Sequence, residues 1–380
     1  MKRSEMLLFL IIVIVIYTAV NYYLFRTAKL FLPKHVNIFA IIFWFLVIAF
    51  PLGQLLERIF PSFLSDALVW VGNFYLGAMV YGLILALIFS LYQLLAVIFP
   101  SFKINFTDIQ RYTIFWSNFL LIVFIEIIGF YNSEHPHLKE FRMKMDISRP
   151  LNLVFVSDIH LGSSSSRMRT QRIVELIQSE KPDIIVLGGD IFDGDIQPVK
   201  RQHKAEPIFQ LKAPLGVYAV TGNHEYIGGG LAAKNYLKTN GIRLLEDESV
   251  LVDSLFYLIG REDRDKERFG MGQRKTIEEL THSLNQSFPK ILIDHQPYEL
   301  DKKAKAGIDL TLSGHTHNGQ LWPFNYITGW IYEVGYGFLR KGNTLIYVSC
   351  GAGTWGPPIR TNSRPEVVHF EIIPSDTDHE

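Results

Sequence analysis

Leu151-Asn152-Leu153-Val154-Phe155-Val156, followed at once by Ser157-Asp158-Ile159-His160, marks the point where this chain changes character. The first six residues form a short run with β-branched and aromatic members, the pattern of a strand. A carboxylate and an imidazole follow directly. In open α/β sheets ligands bind outside the carboxyl ends of strands, so Asp158 and His160 stand where chemistry is usually done. The same punctuation recurs downstream. Asp183–Leu187 reads as a strand leading to Gly189-Asp190-Ile191-Phe192-Asp193. Gly216–Val220 leads to Gly222-Asn223-His224-Glu225. Lys290–Ile293 leads to Asp294-His295-Gln296-Pro297, and Asp309–Leu312 to Gly314-His315-Thr316-His317. Met168–Gln178 has helical spacing, and a further helix-like stretch closes near Leu211. Phe256–Ile259, Thr344–Val348 and Glu366–Ile373 add strands. Strands alternating with helices predict α/β layering. The later strands lack clear helices between them, so the expectation is mixed β-sheets, partly antiparallel, flanked by helices.

The residue types narrow the chemistry. Imidazoles, carboxylates and one amide, with no thiolate, suit Mn, Fe or Zn rather than a sulfur-rich structural site. There are too many candidate ligands for one ion. Two ions about 3.5–4 Å apart form a clamp for in-line displacement at phosphorus, and a carboxylate between them can bridge. Each motif alone is weak: D-x-H and G-D-x-x-D are common by chance, G-N-H-E less so, and G-H-x-H after a strand is more specific. A single histidine in such a place is usually a satisfied core or surface residue. Five motifs in this order, each at a strand end, outweigh that bland reading.

The series D-x-H, G-D-x-x-D, G-N-H-E, H and G-H-x-H resembles the calcineurin-like metallophosphoesterase superfamily over about residues 151 to 373. Ser349-Cys350-Gly351-Ala352-Gly353 and Gly356-Pro357-Pro358-Ile359-Arg360 are similar to its membrane-tethered bacterial branch. The resemblance implies that Asp158, His160 and His317 hold one divalent ion, that Asn223, His295 and His315 hold another, and that Asp190 bridges them. It implies a hydroxide shared by the ions as nucleophile. It casts His224 as a non-ligating catalytic histidine and Asp193 as a residue orienting His224 or a ligand; the plain alternative for Asp193 is a helix N-cap. Relatives in the superfamily act on phospholipids and lipid A precursors, so a lipid is among the expected phosphorylated substrates.

Upstream the chain is a different material. Four apolar runs, Met6–Phe25, Val36–Leu56, Ala67–Ile98 and Tyr112–Tyr131, each reach the ~20 residues that span a bilayer. Aromatic residues near several of their ends suit interfacial belts. The runs are apolar nearly all round, which excludes a soluble bundle with polar outer faces. A cleaved signal peptide over the first run would need a shorter core and a small-residue cleavage site. A break of the third run at Gly77 or Gly82 is the less favoured reading. The expected organisation is an all-α transmembrane bundle of four helices over 1–131, a linker with an edge strand over 132–150, an α/β metallophosphoesterase domain over 151–373, and an acidic tail over 374–380. Four spans put both termini on one side, making a multi-pass protein of the cell membrane. Six basic residues near the spans would share the catalytic side and five the other. That margin scarcely separates the orientations; the lean is to a cytoplasmic catalytic domain.

Composition excludes some classes. The 37 basic residues balance 37 acidic ones, so no broad basic face for nucleic acid is expected. The lone Cys350 rules out an internal disulfide framework. Glu126 lies inside the fourth run; the bland reading, a carboxylate near the interface or paired within the bundle, is preferred to a functional one. His135 and His137 read as a solvated pair in the linker, and Ser163–Ser166 as a flexible surface loop. Arg261, Glu262, Asp263 and Arg264 read equally as a substrate-facing or a solvated loop. Trp322–Leu339 reads equally as an apolar lip facing acyl chains or as a hairpin with buried aromatics. Outside enzymes, an inactive regulatory sensor or scaffold on the same fold would be favoured by a missing ligand, and none is missing. A transporter would need more intramembrane charge than these spans carry.

Overall fold

The computed structural model describes residues 3–32, 34 and 36–375. The chain divides into two compact units, Met1–Phe130 with Gly356–Ile359, and Tyr131–Trp355 with Arg360–Glu380.

The first unit is built on helices α1 (Arg3–Lys29), α2 (Val36–Ile59), α3 (Phe63–Ile98) and α4 (Asp108–Glu134). Each contains a segment long and apolar enough to cross a membrane. Ser62 starts α3 with a capping box against Ser65, satisfying amides the first turn leaves orphaned. From there α3 runs for 36 residues without a break at Gly77 or Gly82, about 54 Å at 1.5 Å per residue. α2 and α3 pack where side chains are absent. A Cβ at Gly53 would lie 2.8 Å from the Val69 nitrogen, and one at Gly72 would strike the Phe50 backbone. Small residues of this kind let membrane helices approach closely. Polar contacts add to the packing: the Tyr17 hydroxyl donates to the Val47 carbonyl at 2.8 Å, and buried Asn21 accepts from the Tyr75 hydroxyl. The outward faces stay apolar, with Ile41, Ile109 and Phe124 exposed. That pattern suits hydrocarbon rather than water.

The second unit holds two six-stranded sheets. In chain order the strands are β1 (His137–Met145), β2 (Leu151–Val156), β3 (Ile184–Leu187), β4 (Val217–Ala219), β5 (Arg243–Leu244), β6 (Glu248–Val252), β7 (Phe256–Gly260), β8 (Lys290–Ile293), β9 (Leu310–Ser313), β10 (Gly337–Lys341), β11 (Thr344–Val348) and β12 (Glu366–Pro374). One sheet has the order β1-β12-β2-β3-β4-β5, the other β10-β11-β9-β8-β7-β6. β2 to β5 run parallel, as do β7, β8, β9 and β11. The β6–β7, β10–β11 and β12–β2 pairs are antiparallel. The helices between strands are α5 (Arg167–Ser179), α6 (Gln197–Arg201), α7 (Glu206–Phe209), α8 (Asn223–Ile227), α9 (Leu231–Thr239), α10 (Asp265–Arg268), α11 (Ile277–Thr281), α12 (Leu300–Lys305) and α13 (Phe324–Ile331).

Alternation along β2 shows how the layers form. Leu151, Leu153 and Phe155 join a core with Phe256, Leu258, Ile291, Ile293, Leu310 and Tyr347 of the other sheet. Val154 and Val156 face the opposite way, onto Ile173 and Ile177 of α5. Successive side chains of a strand point to opposite faces, so β2 is apolar on both because it is covered on both. Each such side chain contributes about 1.5–3 kcal/mol by leaving water. In the segment read as a linker, β1 takes a sheet edge and pairs in parallel with β12, from His137 opposite Glu366 to Met145 opposite Pro374. Pro374, read as the start of the tail, closes β12; residues 376–380 lie outside the described residues.

Candidate metal centre

The strand ends deliver the expected side chains to one place through an uncommon backbone. Asp158, His160, Asp190, His315 and His317 all have positive φ, between 49° and 71°. Residues other than glycine avoid this region, and holding one there costs of order 1–3 kcal/mol. Five of the seven expected ligands adopt it. Two motif glycines clear the space. A Cβ at Gly222 would collide with the Asp190 carboxylate, and one at Gly314 with that of Asp158.

The ligand atoms converge. Asp158, His160 and His317 offer donor atoms within 4.8 Å of one another, as do Asp190, His295 and His315. His160, Asp190 and His224 form a third such group. The His160 and His317 Nε2 atoms are 2.9 Å apart. His295 Nε2 lies 3.0 Å from Asp190 Oδ2, and 4.0 Å from Asp158 Oδ1. Asn223 Oδ1 is 2.8 Å from His315 Nδ1, which adds the amide to the second set. Asp158, Asp190, His295 and His317 are all buried.

The sequence pattern of the calcineurin-like phosphoesterases matches residues 151–319. A metallophosphoesterase of Aquifex aeolicus is 36% identical over 234 residues, 60% of this chain and 87% of that one. A Campylobacter jejuni metallophosphoesterase is 25% identical over 375 residues, 96% of this chain and 98% of its own, so its likeness extends through the helices. A Danio rerio "transmembrane protein with metallophosphoesterase domain" is 32% identical over 233 residues, 58% of this chain and 53% of its own. The chain belongs to the calcineurin-like phosphoesterase family. It is therefore a hydrolase, and its four apolar helices fit a membrane-tethered member.

The donor set of this phosphoesterase fits divalent cations. His295 donates from Nδ1 to the Gly188 carbonyl at 2.8 Å, so its Nε2 is left facing the site, buried and without a hydrogen-bond partner among the described residues. The 3.0 Å approach of Asp190 to that nitrogen is an ion-pair distance lacking hydrogen-bond direction. His160 donates from Nδ1 to Asp193 at 3.1 Å, again aiming Nε2 inward. A partner on the second ring nitrogen is what fixes a metal-binding imidazole. Burial disfavours ionisation of Asp158, and the neighbouring Asp190 charge adds to the rise in its pKa. Burial opposes a charged His295, but Asp190 and Asp158 outweigh it and raise its pKa well above the usual value. The charge of these buried carboxylates is what bound cations would neutralise.

Around the phosphoesterase site sit further side chains that hold the motif turns in place. Glu225 is fully buried; its Oε2 accepts from the Gly222 and Asp190 amides at 2.7 and 3.0 Å, and its Oε1 from Phe192 at 3.0 Å. It locks the G-D-x-x-D turn to the G-N-H-E turn. Its legible signal is a glutamate at the third helical position, where its carboxylate takes the amide of the Gly222 N-cap. Arg360 is fully buried and donates to the His317 carbonyl at 3.1 Å and to its Nδ1 at 2.9 Å. Nothing local in Gly356–Arg360 announces that reach. Asp193 lies between His160 and His224, 3.3 Å from the latter's Nδ1. It caps no helix: α6 starts four residues on, with Ile196 at its N-cap.

Other expectations need correction. Ser163, Ser164 and Ser165 are buried, held by Ser165 to Gly162 and by Lys204, which donates to the Gly162 and Ser163 carbonyls; Ser166 caps α5. They form no surface loop. Arg261, Glu262 and Asp263 are buried too. Arg261 and Arg274 pair with Asp294 and Glu299, and only Arg264 of the four is exposed. His135 and His137 bond to the Tyr131 and Pro365 carbonyls respectively and are half-buried rather than free in solvent. Trp322–Leu339 is no hairpin of buried aromatics. Its centre is helix α13, with Trp330 87%, Tyr326 69% and Trp322 50% exposed.

Proposed function

We propose that residues 151–373 hydrolyse a phosphoester or pyrophosphate bond, with two divalent cations, in a substrate presented at a membrane surface, and that residues 1–131 are the tether. The convergence of the seven side chains from five strand ends carries this reading. Asp158, His160 and His317 would hold one ion, Asn223, His295 and His315 the other, with Asp190 between them. Mn, Fe and Zn suit such nitrogen and oxygen donors. When bound, the pair would supply neutralising charge at phosphorus and an activated water. His224 donates from Nδ1 to the Asp193 carbonyl at 3.0 Å, which leaves Nε2 to meet a leaving oxygen. Burial opposes its charged form, but the Asp190 and Asp193 carboxylates outweigh burial and raise its pKa to about 10. It therefore holds a proton at neutral pH. Cations on Asp190 would weaken that pull and make the proton easier to give up.

The lipid element of the proposal is supported by α13 and its flanks, which begin five residues after His317. Trp, Tyr and Ile side chains standing in solvent beside an active site suit the headgroup boundary of a bilayer. The cytoplasmic side is proposed for the catalytic unit on the narrow excess of basic residues; protease protection in sealed inside-out vesicles checks it.

The test is a hydrolysis screen of the purified full chain with added Mn or with chelator. It covers a soluble diester, bis(4-nitrophenyl) phosphate, and phospholipids in vesicles. Turnover should need metal. Asn223→Ala and His224→Ala should each lower kcat about 100-fold or more; undiminished turnover in either would remove the role assigned to it.

A further inference from the structure

Within the helical unit a cavity of about 1040 Å³ separates much of α4 from the other helices. Aromatic pairs bridge α4 to its neighbours on both sides of it. Phe130 meets Phe74 and Trp70 with ring centroids 5.6 and 6.2 Å apart, and Phe115 meets Phe39 at 5.7 Å. Between these bridges α3 presents Ala78 and Gly82, and α4 presents Val123 and Glu126. Small residues ordinarily let membrane helices close on one another. Here the rings hold α4 away, and the gap persists.

One acidic group faces the gap. Both carboxyl oxygens of Glu126 are buried and lack a hydrogen-bond partner among the described residues. A Cβ at Gly77 would collide with this carboxyl, so glycine gives it room. The expectation of a carboxylate paired within the bundle finds no partner for Glu126. An ionisable group in a membrane helix is expensive and points to function. Glu126 stands eight residues before the end of α4 at Glu134, about 12 Å along the axis. The walls of the cavity are apolar side chains almost throughout, with the one carboxyl among them, a lining that suits an acyl chain ending in a polar group. Lipid is what a bilayer offers to fill it.

We infer that this cavity binds one membrane lipid, whose chain lies between the aromatic bridges and whose polar end gives a hydrogen-bond donor, a hydroxyl or an ammonium, to Glu126. The inference is independent of the reaction proposed for the other unit.

Native mass spectrometry of the full chain in detergent tests it, with dioleoyl phosphatidylethanolamine, dioleoylglycerol and dioleoyl phosphatidylcholine added in turn. The first offers an ammonium donor, the second a hydroxyl, the third neither. One adduct is expected, at least about fivefold tighter for a donor-bearing lipid than for phosphatidylcholine. Ala78→Trp, which fills the space, should weaken it at least about fivefold, and Gly82→Leu serves if Ala78→Trp misfolds. Glu126→Leu should erase the preference while chain binding remains. Hydrolysis of bis(4-nitrophenyl) phosphate by the filled variants should be unchanged, which separates this site from catalysis. The absence of an adduct, or one indifferent to both filling variants, would overturn the site. Equal binding of all three lipids, unaltered by Glu126→Leu, would overturn the role of the carboxyl.

Discussion

Gly222 and Gly314 each stand where one methyl group would meet a carboxylate that the metal centre needs. Gly222→Ala should push Asp190 out of line and lower metal content at least about 10-fold, the usual effect of disturbing a ligand's support, as read by elemental analysis of protein dialysed against limiting Mn. A second residue-scale case is Asp294. Burial raises its pKa, but Lys303, Arg274 and Arg261 outweigh burial and bring it from 3.8 down to about 2. A depressed carboxylate stabilises the fold above its unfolded pKa and loses that contribution as pH falls through the folded one. A drop of this size is worth about 2 kcal/mol. Asp294→Asn should therefore lower stability by at least about 2 kcal/mol at pH 7, with the deficit fading between pH 3.8 and 2, as followed by denaturant unfolding. At this scale the candidate ligands could be read from the sequence because each sits just past a strand. Glu225 was half visible as a capping residue. Arg360 was not, because its partners lie 43 residues away at His317 and no periodicity encodes such a contact.

Strands were legible where their runs were apolar and bounded by glycine or acidic residues, and the mixed direction of the sheets followed from the missing helices. α13 was not legible as a helix. Eight residues give barely two turns, and Thr328, Gly329 and the aromatics around them are indifferent helix formers. Its exposed face nevertheless has a measurable consequence. Trp330→Ser combined with Tyr326→Ser should reduce hydrolysis of a vesicle-borne phospholipid at least about tenfold while leaving that of bis(4-nitrophenyl) phosphate within about twofold, since each large side chain withdrawn from apolar contact forfeits about 1.5–3 kcal/mol. Equal losses on both substrates would show that α13 supports the fold rather than the approach to lipid. The edge strand β1 falls in the linker segment where an edge strand was expected, and its buried end at Met145 joins the core between the sheets.

For the molecule as a whole, the division between an apolar first third and a charged remainder was plain from composition. The convergence of five strand ends on one point was plain only through the family resemblance, since spacing along the chain does not report distance in space. Metal should stabilise the entire catalytic unit. A ligand present at 1,000 times its Kd adds about 4 kcal/mol. For a unit of this size that is a rise in Tm of roughly 8–16 °C, measurable by thermal scans with Mn and with chelator. A shift within error would mean that the folded protein holds no such ions.

β12 lies between β1 and β2 although it is the last of the twelve strands to be synthesised. During translation, β1 follows α4 out of the ribosome and then waits for more than two hundred residues for its neighbour. Until Glu366 and its successors arrive, the nascent sheet has an open seam beside the segment that leaves the bilayer. A ribosome stalled short of that strand would leave an unfinished hydrolase that cellular proteases can recognise before it has a complete catalytic domain.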